Sequence, residues 1–260
     1  MNEKALLAVS FGTSHPETRR KTIQAIENDL AAAFPERRLY RAWTSGMLRR
    51  KVKSLIGEHI DSVAEALERM AADGIRDVLV QPTHLLVGEE FDKLRRELAA
   101  GKAAFARLAV GAPLLAAEED IAVFAELLPG LCPALGDGDM MVWMGHGSNA
   151  LPLPVYDLLG ALLVKNGHPE QVVGTVEFDP GFGAVLDAVR RRRPARAILA
   201  PLMVVAGDHA VNDMAGDEPD SWKSRLRAEG VEVTCVLRGL GEYPAVRALY
   251  AAHARNAKPL

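Results

Sequence analysis

The chain has 260 residues, 49% of them apolar, and a formal net charge of −3 at pH 7. That is enough for one large or two small α/β domains, without the basic excess that nucleic acid or an anionic membrane would favour; neither partner is expected. Cys132 and Cys235 lie far apart, which excludes a disulfide framework and a CxxC metal knuckle; with no signal segment and no apolar run of spanning length, the reading is a cytoplasmic protein.

Ala5 to Ser10 reads as a buried strand, and Ser14-His15-Pro16-Glu17 as a capping box opening a helix to Ala33. Arg38 to Trp43 is a second strand, and Thr44-Ser45 can cap a helix over Gly46 to Leu55 that carries Arg49, Arg50, Lys51 and Lys53. Ser62 to Asp73 is amphipathic; Asp77 to Gln81 is a third strand, running through Pro82-Thr83-His84 and Gly88-Glu89-Glu90 into a charged helix ending near Ala100. Phe105 to Val110 gives a fourth strand, and a helix follows over Glu118 to Leu128. Pro133 to Asp139, with two glycines, has linker composition.

The second half repeats the cycle, with strands near 140–144, 171–177, 196–205 and 231–237 and helices near 153–165, 182–192, 219–229 and 243–256. The expected fold is therefore α/β, with two similar Rossmann-like lobes, residues 1–135 and 136–260, each a four-stranded parallel sheet flanked by helices. A cleft is expected between them. Residue-level similarity supports a duplication: Pro82 to Glu90 aligns without a gap on Pro201 to His209, and Ser10 to Ser14 resembles Met144 to Ser148.

Parallel sheets bind ligands outside the carboxyl ends of their strands, which is where chemistry-bearing residues fall here. The apolar run Met140 to Met144 stops at Gly145-His146-Gly147, and Pro201 to Ala206 stops at Gly207-Asp208-His209. Between them Val172 to Val176 ends on Glu177. Two imidazoles and a carboxylate suit a divalent first-row ion and leave coordination positions open. Glu177 has a second reading as a cap for the next helix, beside the Asp179-Pro180-Gly181 turn. Ser10, Thr44, His84 and Glu89 end strands in the first lobe; His84 also fits a hydrogen-bonded core histidine, and Glu89 and Glu90 fit first-turn acids. Arg190 to Arg193 reads as a solvated helix end. Gly145 to Ala150 matches the dinucleotide pattern G-x-G-x-x-A, but Pro152 and Pro154 delay the helix that must hold a pyrophosphate.

The blocks Ser10-Phe11-Gly12-Thr13-Ser14, Thr44-Ser45, Gln81-Pro82-Thr83-His84, Gly88-Glu89, Gly145-His146-Gly147, Gly174 to Glu177, Gly207 to Ala210 and Asn212 to Gly216 span nearly the whole chain. Together they resemble the class II, ATP-independent chelatases, in particular the anaerobic sirohydrochlorin cobalt chelatases of the CbiK type. The resemblance implies a lyase of cobalamin biosynthesis that inserts Co2+ into sirohydrochlorin, with the metal held by His146, Glu177 and His209 and with His146 and His209 catalytic. Fe2+ and Ni2+ are alternative substrate metals; no ATP or other nucleotide is implied, and no P-loop occurs. Ser10, Phe11, Thr13, His84, Glu89 and Glu90 are expected to contact the tetrapyrrole, with Phe11, Leu85, Leu86, Met203 and Val204 as apolar walls. Where relatives tend to have Gly-Tyr-Pro after the glutamate, this chain has Phe178-Asp179-Pro180. Iron insertion for sirohaem and a non-catalytic metal or tetrapyrrole carrier are the alternatives, and a homo-oligomer stays open.

Overall fold

A computed structural model describes residues 3–131, 133–148 and 152–260. Cys132, and Asn149 and Ala150 of the dinucleotide-like pattern, lie outside the described residues. In chain order the first unit contains β1 (Lys4–Ser10), α1 (Pro16–Lys21), α2 (Ile23–Ala33), β2 (Arg38–Trp43), α3 (Gly46–Ile56), α4 (Val63–Ala72), β3 (Asp77–Pro82), α5 (Glu89–Gly101) and β4 (Arg107–Val110). The second contains α6 (Glu118–Leu127), β5 (Asp139–Gly145), α7 (Val155–Lys165), β6 (Gln171–Thr175), α8 (Phe182–Arg192), β7 (Arg196–Pro201), α9 (Trp222–Ala228) and β8 (Glu232–Cys235). The chain then returns to the first unit with α10 (Pro244–Arg255) and β9 (Lys258–Pro259).

The division into units is Met1–Ala116 with Pro244–Leu260 against Ala117–Tyr243, which corrects the expected boundary at residue 135. Two packing choices move it. Helix α6 packs on α7, and α10 packs on α2 and β3, where the Tyr250 hydroxyl donates to the Thr83 carbonyl at 2.9 Å. The first sheet is also one strand larger than expected, because β9 pairs antiparallel with β4.

The sheets run β2-β1-β3-β4-β9 and β6-β5-β7-β8, and every pairing except β4 with β9 is parallel. Both faces of each sheet are covered, so the central strands are apolar throughout rather than alternating. In β1 all residues from Ala5 to Val9 are fully buried, and in β5 so are Met140, Met141, Val142 and Met144. One face of the first sheet packs Ala5, Leu7, Val9, Val78 and Val80 against α4 and α5. One face of the second packs Met140, Val142, Met144 and Leu199 against α8 and α9.

The capping box expected at Ser14 is not made. Helix α1 starts at Pro16 with His15 at its N-cap and no side-chain cap. The single helix expected to Ala33 breaks at Thr22, whose hydroxyl donates back to the Thr18 carbonyl at 2.6 Å. Such back-bonding competes with regular helix geometry. Ser45 does cap α3, accepting from the Leu48 amide at 3.3 Å.

Candidate metal-handling site

In both sheets the order of the first four strands places the topological switch between the first and third strands of the unit, β1 and β3 or β5 and β7. Crevices at such switch points are the ligand sites of open α/β sheets. His146 leaves the carboxyl end of β5, and His209 follows the turn after β7. Their ring centroids lie 4.8 Å apart, with the planes at 87°. An ion about 2.1 Å from the Nε2 of each of two histidines sets their ring centroids about 4.6–5.3 Å apart, depending on coordination angle. The observed spacing lies inside that range.

Each ring is held from its Nδ1 side. His146 Nδ1 is 3.1 Å from the Gly147 carbonyl oxygen, and His209 Nδ1 is 2.7 Å from Asp213 Oδ2. Both oxygens can only accept, so in the neutral imidazole Nδ1 carries the proton and Nε2 the lone pair.

The end of β5 and the turn after it leave no room for a side chain at Gly145 or Gly147. A Cβ on Gly145 would fall 2.3 Å from the Tyr156 ring, and Gly147, at φ 93°, faces the Glu177 carbonyl. Backbone bonds Val176 N→Gly145 O, 3.0 Å, and Glu177 N→His146 O, 2.9 Å, stitch the ends of β5 and β6 together. The Tyr156 hydroxyl accepts from the Gly147 amide at 3.2 Å, and burial pushes its pKa up, so it stays protonated.

Glu177 does not cap α8, whose N-cap is Gly181 without a side-chain bond. Its backbone is tied to His146, but the residue is exposed, and among the described residues no three His, Cys, Asp or Glu side chains gather closely enough to hold an ion. The structure thus brings together two of the three expected ligands. Phe178 sits at φ 62°. That left-handed backbone is costly for a bulky residue. Thr175 holds the loop by donating its hydroxyl to the Phe178 carbonyl at 2.9 Å.

In the first unit Ser10 is buried and its hydroxyl oxygen accepts from Thr83 Oγ1 at 2.8 Å. Phe11 is exposed, Thr13 is buried, and Glu89 and Glu90 open the first turn of α5. His84 Nε2 lies 3.4 Å from Thr44 Oγ1, while its Nδ1 is sealed from solvent without a partner. Burial pulls the His84 pKa down to about 4, against the opposing pull of Glu90. Lys93, one turn into α5, donates to the Thr44 carbonyl.

Equivalent bonds fix how the two units correspond. Thr44 N→Ser10 O and Ser45 N→Phe11 O match Val176 N→Gly145 O and Glu177 N→His146 O; Thr83 N→Val9 O matches Leu202 N→Met144 O. Ser10 therefore corresponds to Gly145 rather than Met144, a one-residue correction to the sequence comparison. Gly12 and Gly147, both at positive φ, become partners. The first-unit counterparts of His146, Glu177 and His209 are Phe11, Ser45 and Glu90, so the imidazoles occur in one copy alone.

Asp213, the partner of His209 Nδ1, drew no role from the sequence, although His209-x-x-x-Asp213 has the spacing of a helical pair. It lies in a π-helical turn, Ala210–Met214. Such turns concentrate at functional sites.

A family model described as cobalt chelatase (CbiK) matches residues 4–258. The sirohydrochlorin cobaltochelatase of Salmonella typhimurium is 42% identical over 255 residues, covering 98% of this chain and 96% of that protein. The sirohydrochlorin cobaltochelatase CbiKC of Nitratidesulfovibrio vulgaris is 33% identical over 246 residues, covering 94% and 86%. Among solved structures, SirB from Bacillus subtilis with Fe3+ has a TM-score of 0.65 at 15% identity, covering 98% of this chain and 95% of that one, a likeness of fold. On a family match that runs nearly from end to end, the chain belongs to the CbiK cobalt chelatase family.

Proposed function

We propose that this protein inserts Co2+ into sirohydrochlorin without nucleotide hydrolysis, with His146 and His209 presenting the ion. The observation that carries the reading is the imidazole pair, at the spacing of two ligands on one ion and with both Nδ1 atoms already engaged. The names of the two curated relatives supply the macrocycle and the metal.

Insertion into a free-base ring requires two pyrrole N–H protons to leave as the metal arrives. An imidazole released from the ion regains the lone pair needed to accept one of them, so ligand and base can be the same side chain. Incomplete coordination serves this chemistry, since a saturated site would retain the metal. Glu177 completes the ligand set in this proposal by rotating its free side chain toward the pair. Ser10, Phe11, Thr13, His84, Glu89 and Glu90 are assigned to the macrocycle, with Phe11 as an apolar face and the N-terminus of α3 offering amide donors to a substrate carboxylate.

The test follows the absorbance of sirohydrochlorin with Co2+ under anaerobic conditions. The protein should accelerate insertion over the spontaneous rate, and His146→Ala and His209→Ala should each lose most of that acceleration. A wild-type protein that leaves the spontaneous rate unchanged would make it a carrier; two active alanine variants would remove the imidazoles from the mechanism.

A further inference from the structure

We propose that Asp213 is a positioning residue, whose carboxylate fixes the His209 ring as the Nδ1–H tautomer and so leaves Nε2 open to a divalent cation. The inference rests on the functional reading for the identity of that cation, Co2+. Its structural basis is independent of it.

The contact from His209 Nδ1 to Asp213 Oδ2 is 2.7 Å, short and charge-assisted. The Asp213 side chain remains 48% exposed. A pair that open to solvent contributes little to stability, so its value to the fold is small. Its effect on the ring is large by comparison, because the acceptor decides which nitrogen carries the proton and in which plane the imidazole lies.

The backbone around Asp213 is fixed on both sides. Ala210 and Met214 are fully buried in the core, and the Ala215 amide closes the wide turn on the Ala210 carbonyl at 3.2 Å. A Cβ on Gly216 would fall 2.3 Å from the Asn212 carbonyl oxygen, and Ser221 Oγ donates to the Gly216 carbonyl at 2.7 Å. A rigid turn therefore carries the carboxylate to one ring atom. His146 obtains the same tautomer from a neutral acceptor, the Gly147 carbonyl. Both nitrogens left over are Nε2.

The test uses long-range 1H–15N correlation spectra of the metal-free protein at pH about 8.5, above the ordinary imidazole range. Wild-type His209 should carry its proton on Nδ1, Asp213→Ala should move population to Nε2–H, and Asp213→Asn, which keeps a carbonyl acceptor, should retain Nδ1–H. Co2+ titrations followed by visible d–d absorption should show about 10- to 100-fold weaker binding for Asp213→Ala, most of it restored in Asp213→Asn. An unchanged His209 tautomer in Asp213→Ala, or unchanged Co2+ affinity there, would overturn the assignment. A wild-type protein that binds Co2+ without accelerating insertion would count against the functional reading alone, and the tautomer spectra would still decide the role of Asp213.

Discussion

Gly147 and Glu177 approach so closely that a Cβ on the glycine would lie 1.7 Å from the Glu177 carbonyl oxygen. This contact locks the loop that presents His146 to the end of β6. Two penalties meet at one position: the overlap, and a φ of 93° that side chains other than glycine rarely adopt. Gly147→Ala should cost about 1–3 kcal/mol from backbone strain before the overlap is counted. Urea denaturation should show the midpoint falling, with acceleration of cobalt insertion lost in the remaining folded protein. An alanine variant of parental stability would mean that the two loops do not touch.

The buried Tyr156 hydroxyl gives the same loop a polar anchor, accepting from the Gly147 amide. Tyr156→Phe preserves the ring and leaves that amide unpaired. Leaving a buried donor unpaired costs about 1–3 kcal/mol. Thermal unfolding should register the loss, and a phenylalanine variant of unchanged stability would show that the Gly147 amide finds another acceptor.

His84 gives stability a pH dependence in the acid range. Its folded pKa is lowered from 6.5 to about 4, chiefly by burial. As pH falls below 6.5 the unfolded chain takes up the proton first, so stability is fully present above 6.5 and is lost progressively toward pH 4. The full difference amounts to roughly 3 kcal/mol. Between pH 7 and 5 the wild-type urea midpoint should therefore fall more steeply than that of His84→Gln. Parallel slopes for the two proteins would show that His84 does not ionise differently on unfolding.

The end of β5 was legible because its apolar run stops at Gly145 beside His146, and burial in a parallel sheet requires that run; β7 instead ends at Pro201, short of the expected 205, because the apolar run continues into a turn. The alignment between units slipped by one because it followed residue likeness, laying Gly12 over His146. Backbone conformation pairs Gly12 with Gly147, and φ is invisible in the residue letters. The return of α10 was hidden for a related reason: Val246, Tyr250 and Ala254 form an apolar stripe that would suit either sheet. Tertiary bonds identify its partner, from Tyr250 to the Thr83 carbonyl and from Arg247 to Asp29. Asp213 has no signature in the residue letters, because the contact it makes depends on where the ring nitrogen of His209 points, a matter of rotamer rather than pattern.

Glu177 combines a backbone bonded to His146 with an exposed side chain, so recruiting it to an ion requires side-chain rotation and no movement of the loop. That sets an order among the ligands. The imidazole pair is assembled in advance, whereas the carboxylate must be ordered as it binds, at an entropic cost that offsets part of its gain. Glu177→Gln keeps the shape and removes the charge, so it should weaken Co2+ binding less than His146→Ala or His209→Ala does. It should also alter the visible d–d spectrum of the Co2+-loaded protein, because a charged carboxylate oxygen is replaced by a neutral amide oxygen or by water. Anaerobic titrations of the three variants, with spectra taken at saturation, separate the cases. Identical affinity and spectrum in Glu177→Gln would remove the carboxylate from the ligand set and leave the two imidazoles as the protein's whole contribution to the ion.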